Sequence, residues 1–210
     1  TANSFATALT IPEALEDALK LILGAHQVQS VDAIQFRERF FILEASLGVF
    51  SASFDDVQRE KKDRLGWFAY VETALRNWIG LDPLSVSVDV DGKHTRFRAS
   101  EVALFNTSQV GIIDQDLDED IRLDDGVLDL YALQSKALWD VLLTLFYRVL
   151  GKPKKAPNTH RWPVKSKVRI KTDPCVSFQA DGDVQGKTPV VFKIAPGVLR
   201  VIVPGPPSNK

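Results

Sequence analysis

Methionine occurs nowhere in the sequence, and cysteine occurs once, at position 175. A single thiol cannot close an intramolecular disulfide, which points to a reducing compartment rather than a disulfide-stapled secreted scaffold. The first residue is Thr1 and no initiator is present, so a processed or truncated piece of a longer protein is expected. No stretch approaches about 18 uncharged apolar residues, which excludes a membrane-spanning helix. A basic leader with an apolar run and cleavage site is also missing, so the expected location is the cytoplasm. Repeats and low-complexity tracts are absent. There is no Walker loop and no Gly-rich dinucleotide fingerprint, and Ser46 lies in ASLG rather than in a nucleophile elbow. His26, His94 and His160 are far apart and share no metal-ligand spacing. Cys175 has no motif partner and is expected in the core.

What remains is an ordinary globular composition: 210 residues, 45% hydrophobic and 25% charged, enough chain for one large domain or two small ones. The net charge of −1 hides an asymmetry. Residues 151–210 carry nine Lys and three Arg against three Asp, a net of +9, which leaves −10 on residues 1–150. A basic final third attracts phosphates, nucleic acid or an anionic membrane surface; a solvated face beside an acidic neighbour explains it equally well.

Residues 2–9 read as a helix. A second starts at Ile11-Pro12-Glu13, carries Leu15, Leu19 and Ile22 at helical spacing, and stops at Gly24. Strands are expected over 28–36 and 39–47, joined by Arg37-Glu38. Helices follow over about 54–62 and 64–79, the latter with Leu65, Phe68, Val71, Leu75 and Trp78 on one face. The alternating runs 85–92 and 93–100 form a hairpin through Asp91-Gly92, and 101–107 and 127–133 are further strands. Residues 135–150 form an amphipathic helix and 152–163 a Pro- and Lys-rich connection. Strands near 164–171, 174–180, 189–194 and 198–203 precede a frayed end. Short, adjacent, alternating strands favour antiparallel pairing, so the fold class is α+β with a predominantly antiparallel β core and several packed helices.

Three constellations carry potential chemistry. Asp114, Asp116, Asp118 and Asp125 match positions 1, 3, 5 and 12 of a calcium loop, but Glu119 replaces the required Gly and Asp125 the bidentate Glu. The run Arg122-Leu123-Asp124-Asp125-Gly126-Val127 can instead point one carboxylate and nearby carbonyls at a hard cation such as Mg²⁺; an unliganded Asp-Gly turn is the alternative. In Ala180-Asp181-Gly182-Asp183, two carboxylates flank a glycine at a strand end. They can hold Mg²⁺ against a triphosphate or take a proton from a hydroxyl, although a plain hairpin turn is the commoner explanation. Lys62 can meet a phosphate, or remain a solvated helix lysine.

In order, TANSFATALTIPEAL (1–15), VDAIQF (31–36), EASLG (44–48), KKDRLGWFAY (61–70), RLDDGVLDL (122–130), ADGDVQGKTP (180–189) and IAPGVLRVIVP (194–204) resemble the bacterial diacylglycerol kinase/sphingosine kinase-like lipid kinases. The resemblance implies a two-domain enzyme of which this chain supplies the C-terminal, lipid-holding β-sandwich. Residues 1–10 would be the end of the nucleotide-binding domain, 11–204 the β-rich domain and 205–210 a tail. It implies ATP as phosphate donor and Mg²⁺ as cofactor. Thr1, Asn3 and Asp183 would line the nucleotide side. Asp125, with the carbonyls of Arg122 and Val127, would hold a structural Mg²⁺. Asp181 would be the candidate base, Lys62 a lysine implicated in activity, and Asp32 a recurrent acid of the first strand. Three departures stand out: Ser4 and Asp183 replace an Asp and a Glu common in relatives, and the loop 107–121 is acidic where relatives carry glycines and a proline.

The implied function is ATP-dependent phosphorylation of a diacylglycerol-like lipid hydroxyl, in an apolar cleft such as one opened between the two sheets, with the isolated chain inactive. The alternatives are a non-catalytic β-rich lipid-binding or regulatory module and, more distantly, an NAD-kinase-like activity. Implied partners are the lipid substrate, the upstream nucleotide domain, a peripheral anionic membrane and, as an oligomeric option, a second copy; nucleic acid is not expected.

Overall fold

Val86, Val88 and Val90 are buried while Ser85, Ser87 and Asp89 reach solvent, the period-two pattern of a strand with one wet face. The same alternation sets Val168, Ile170 and Thr172 against Lys167, Arg169, Lys171 and Asp173. Strands of this kind dominate the computed structural model, which describes residues 3–48, 83–108, 121–134 and 159–205.

Two helices come first among the described residues, α1 (Ser4–Ala8) and α2 (Leu15–Leu23). The strands are β1 (His26–Phe36), β2 (Arg39–Phe41), β3 (Glu44–Gly48), β4 (Leu84–Val90), β5 (Lys93–Ala99), β6 (Glu101–Phe105), β7 (Leu128–Leu133), β8 (Thr159–Val164), β9 (Lys167–Asp173), β10 (Ser177–Ala180), β11 (Asp183–Lys187) and β12 (Val190–Pro204). They form two six-stranded sheets, ordered β2-β1-β12-β9-β4-β5 and β11-β10-β3-β6-β7-β8. Every pairing is antiparallel. The expected antiparallel β-sandwich is therefore present, with helices a minor part of what is described.

The inner faces meet in one apolar core that draws on both sheets, from Ile34, Val88 and Ile170 on one to Leu47, Leu104 and Leu130 on the other. Phe36, Phe178 and Phe192 cross between them, with ring centroids 5.1 to 6.0 Å apart in edge-on or tilted arrangements. Such ring pairs add about 0.5 to 1.5 kcal/mol each beyond area burial. Among the described residues these side chains pack between the sheets, so an acyl chain entering at their level would have to displace them.

A second apolar cluster seats α1. Phe5, Ala8 and Leu9 pack with Val31, Leu123 and Val203. The amphipathic α2 has the expected register and stop: the Gly24 N–H donates to the Lys20 carbonyl. Its apolar side chains Leu15, Leu19, Ile22 and Leu23 are nonetheless exposed.

Several expectations need correction. The run 39–47 is two strands, β2 and β3, parted at Ile42-Leu43 and belonging to different sheets. Residues 159–163, expected within a connection, form most of β8, which pairs along its length with β7. β11 was not expected, and the two strands expected over 189–203 are one, β12, whose pairing with β1 shifts register at Asp32. Cys175 is exposed, its Sγ donating to the Thr188 carbonyl at 2.7 Å. The helices expected over 54–62, 64–79 and 135–150, and loop residues 109–120, lie outside the described residues, as do Thr1, Lys62 and residues 206–210 of the tail.

Candidate functional site

Asp32 stands where β1 breaks register with β12. Its N–H leaves the ladder and donates to the Leu123 carbonyl at 2.7 Å. Its buried carboxylate accepts two backbone N–H groups at 2.7 Å, Gly197 on Oδ1 and Gly126 on Oδ2. Both glycines have positive φ, 73° at Gly126 and 59° at Gly197, a conformation other residues adopt at a cost. One carboxylate thus ties β12 and the 122–127 turn to β1. Asn106, fully buried just past β6, extends the seam. Its Nδ2 donates to the carbonyls of Asp32 and Ile42, both at 2.8 Å, and its N–H to the Leu43 carbonyl at 3.0 Å. Asn106 Oδ1 has no partner, the one such buried side-chain atom among the described residues. A buried amide oxygen of this kind is ordinarily met by a donor such as water.

The segment 42–44 is gripped from its other side by Asp181. Asp181 and Gly182, with φ of 49° and 89°, make the tight turn joining β10 to β11, as an Asp-Gly pair is suited to do. The carboxylate accepts the N–H of Ile42 (2.8 Å), Leu43 (2.9 Å) and Glu44 (3.1 Å). A carboxylate has about four acceptor sites, so one remains open. Beside it, Gln179 Nε2 donates to Glu44 Oε1 at 2.9 Å and Ser46 Oγ at 2.6 Å, while its Oε1 accepts the Gly182 N–H. Burial pushes the Glu44 carboxyl up to about 7; the Gln179 hydrogen bond opposes this and the Asp181 charge adds to it.

The sandwich carries a second copy of this device. Asp91-Gly92, with φ of 50° and 88°, turns β4 into β5. The Asp91 carboxylate likewise accepts three consecutive N–H groups, those of Lys165, Ser166 and Lys167.

At the 122–127 turn, Asp125 is exposed and accepts the Val127 N–H at 3.0 Å. Desolvation at the turn raises its pKa; the Val127 hydrogen bond opposes, and the negative charges of Asp129 and Asp32 reinforce. Asp32 is committed to its two amides and Asp129 to Arg161 at 2.7 Å. No group of three or more His, Cys, Asp or Glu placed to hold a metal occurs among the described residues. The Asp125 carboxylate, with acceptor sites left beyond its Val127 bond, and the carbonyl oxygens of the turn are an all-oxygen donor set in a negative setting. It suits a hard cation that keeps most of its waters, as Mg²⁺ does. Next to the turn lies a cavity of about 220 Å³, bordered by Leu9, Gln29, Thr107, Arg122 and Asp124 among others.

Of the expected nucleotide-side residues, Asn3 is exposed at the start of α1 and its side chain makes no capping bond. Asp183 is exposed at the first position of β11. The hydrogen-bonded chain Gly126–Asp32–Asn106–Ile42–Asp181 joins the 122–127 turn to the Asp181 corner. Asn106, Gln179 and Glu44 were missed from the sequence. Their only signal is a polar residue set within or at the end of an apolar strand.

The family described as the YegS C-terminal NAD kinase beta sandwich-like domain matches residues 46–203. "Probable lipid kinase YegS-like" of Enterobacter sp. is 30% identical over 159 residues, covering 75% of this chain and 51% of that protein. "Probable lipid kinase YegS" of Escherichia coli is 25% identical over 205 residues, covering 97% and 66%. A crystal structure of a diacylglycerol kinase from Bacillus anthracis superposes with a TM-score of 0.68 at 18% identity, over 97% of this chain and 64% of that one. The chain thus spans about half to two thirds of the length of these relatives. No helix among its described residues is long and apolar enough to cross a membrane. With the family's domain covering three quarters of the chain, and the two antiparallel sheets in place, this protein belongs to the YegS C-terminal NAD kinase-like β-sandwich family.

Proposed function

We propose that this chain forms the lipid-holding part of an ATP-dependent lipid kinase that transfers the γ-phosphate to a hydroxyl of a diacylglycerol-like lipid. The observation that supports the reading most is the family match over 46–203, with relatives named lipid kinases aligned along almost the whole chain. Phosphoryl transfer is mostly positioning and charge neutralisation, and the polar seam offers groups for both. Asp125, with the carbonyls of Arg122 and Val127, would hold Mg²⁺, which supplies charge neutralisation when bound. The open acceptor site on Asp181 would receive the acceptor hydroxyl's proton. Thr1, Asn3, Lys62 and Asp183 would face the nucleotide.

The test is transfer of labelled γ-phosphate from Mg-ATP to diacylglycerol, phosphatidylglycerol, ceramide and sphingosine, by the chain extended to the length of its relatives. Transfer to one lipid is expected, reduced by about a hundredfold or more in Asp181→Asn, with a raised Mg²⁺ requirement in Asp125→Ala. A second reading, a lipid-binding module without catalysis, is favoured by one observation: Asp181 performs the same amide clamping as Asp91. It predicts no transfer from the folded, extended protein, and a loss of stability in both Asp181→Asn and Asp91→Asn.

A further inference from the structure

The outer face of the sheet β2-β1-β12-β9-β4-β5 is laid out by its register. Across β5, β4 and β9 run the rows Arg98–Ser85–Asp173 and Arg96–Ser87–Lys171. The next row is His94–Asp89–Arg169–Val191, and Lys167–Lys193–Gln35–Phe40 continues through β12 and β1 to β2. Their neighbours Val86, Val88, Val168, Ile170 and Phe192 point into the core, which fixes these residues on the solvent side. Six cations, Arg96, Arg98, Lys167, Arg169, Lys171 and Lys193, thus share one exposed face with two carboxylates, Asp89 and Asp173. Asp89 already accepts the Gly92 N–H. Arg96 and Arg98 reach only neutral oxygens, Ser85 Oγ and the Pro83 carbonyl. No ion pair among the described residues includes any of the six.

Strand spacing sets the scale. The six lie within about 15 Å across the strands and about 20 Å along them, and neighbours along a strand stand about 7 Å apart, inside the Debye length of about 8 Å, so they act on a charged surface together. Among the described residues the face is a sheet with neither a projecting helix nor a ribbon to enter a nucleic-acid groove. Its rings among the described residues, His94 on β5 and Phe40 on β2, stand at opposite edges of the sheet and form no continuous stacking platform for bases. Phe40 is 47% exposed at the edge strand, where a large apolar side chain can dip into an interface.

We propose that this face docks the protein on an anionic lipid bilayer, its fixed cations pairing with headgroups that rearrange laterally beneath them. The inference deepens the lipid-kinase reading, since a kinase acting on a bilayer lipid has to reside at the bilayer. Its test reads binding alone, so either can fail without the other.

The measurement is co-sedimentation of the full chain with vesicles of phosphatidylcholine alone and of phosphatidylcholine mixed with phosphatidylglycerol, at low and raised salt. Binding to the mixed vesicles only, weakening with salt, is expected. One basic side chain at an anionic surface is worth about a fivefold change in partition. The triple variant Arg96→Glu/Arg169→Glu/Lys171→Glu should therefore lose at least on the order of a hundredfold, while Lys20→Glu/Lys187→Glu, away from this face, stays near wild type. Thermal unfolding verifies the fold of the triple variant; if it is lost, the single changes Arg96→Gln and Lys171→Gln read the same surface in fivefold steps. Equal binding to neutral vesicles, equal loss in the Lys20/Lys187 variant, or tighter binding to a single-stranded oligonucleotide than to vesicles would each overturn the proposal.

Discussion

Replacing Glu44 by Gln tests the polar seam most directly, because the expected effect depends on pH in a way few other causes can imitate. Glu44 titrates near its ordinary value of 4.5 when unfolded and at about 7 when folded. The folded protein therefore holds this proton more tightly. The associated stability is fully present below about pH 4.5, falls as pH rises, and is gone above about pH 7. At 1.36 kcal/mol per unit the difference is about 3 kcal/mol; residual solvent contact reduces it to about 2. Gln cannot titrate, and its Oε1 still accepts from Gln179, the bond Glu44 makes at 2.9 Å. The stability of Glu44→Gln relative to wild type should therefore change little up to about pH 4.5, then climb by about 2 kcal/mol on reaching pH 8. In a chain of this size that is a gain in Tm of roughly 4 to 8 °C. Urea unfolding at several pH values measures it. A constant difference between the two proteins, or one that shrinks as pH rises, would refute the reasoning.

Two further substitutions probe what holds the sandwich together. Asp32→Ala takes the buried acceptor away from the N–H groups of Gly126 and Gly197 and should cost about 1 to 3 kcal/mol in urea unfolding; a change below about 0.5 kcal/mol would show that the carboxylate is not the tie described. Phe178→Ala removes the ring that meets both Phe36 and Phe192, with an expected loss of about 3 to 5 kcal/mol, read as a drop in the urea midpoint at unchanged slope.

The Asp91-Gly92 hairpin was legible because its cause is local: both turn residues need positive φ, and Asp-Gly supplies it. The break at Ile42-Leu43 was not. RFFILEASL reads as one strand, and the groups that bend it are Asn106 and Asp181, 64 and 139 residues away from Ile42. β8 was hidden by Pro163, which is tolerated because β8 is the edge of its sheet and bonds only to β7. Two strands were expected around Pro196-Gly197, yet β12 runs through them with a bulge opposite Asp32, where Gly197 at positive φ turns its amide to the Asp32 carboxylate. Resemblance to the lipid kinases flagged Asp32, Asp125 and Asp181, whereas Glu44, Gln179 and Asn106 acquire meaning only from partners distant in sequence.

β12 lies between β1 and β9, and without it the first sheet falls into two unconnected pieces, β2-β1 and β9-β4-β5. The chain makes these strands in the opposite order to their need. β1 leaves the ribosome well ahead of its partner and waits for residues more than 150 positions later before its central ladder can close. Until then the β12-facing edge of β1 and its apolar inner face have no permanent partner, which is when an edge is most open to the wrong strand. Folding of the sandwich is thus expected to be slow and all but post-translational, with nascent chains that stop short of Val190 held by chaperones rather than trapped in a stable half-domain.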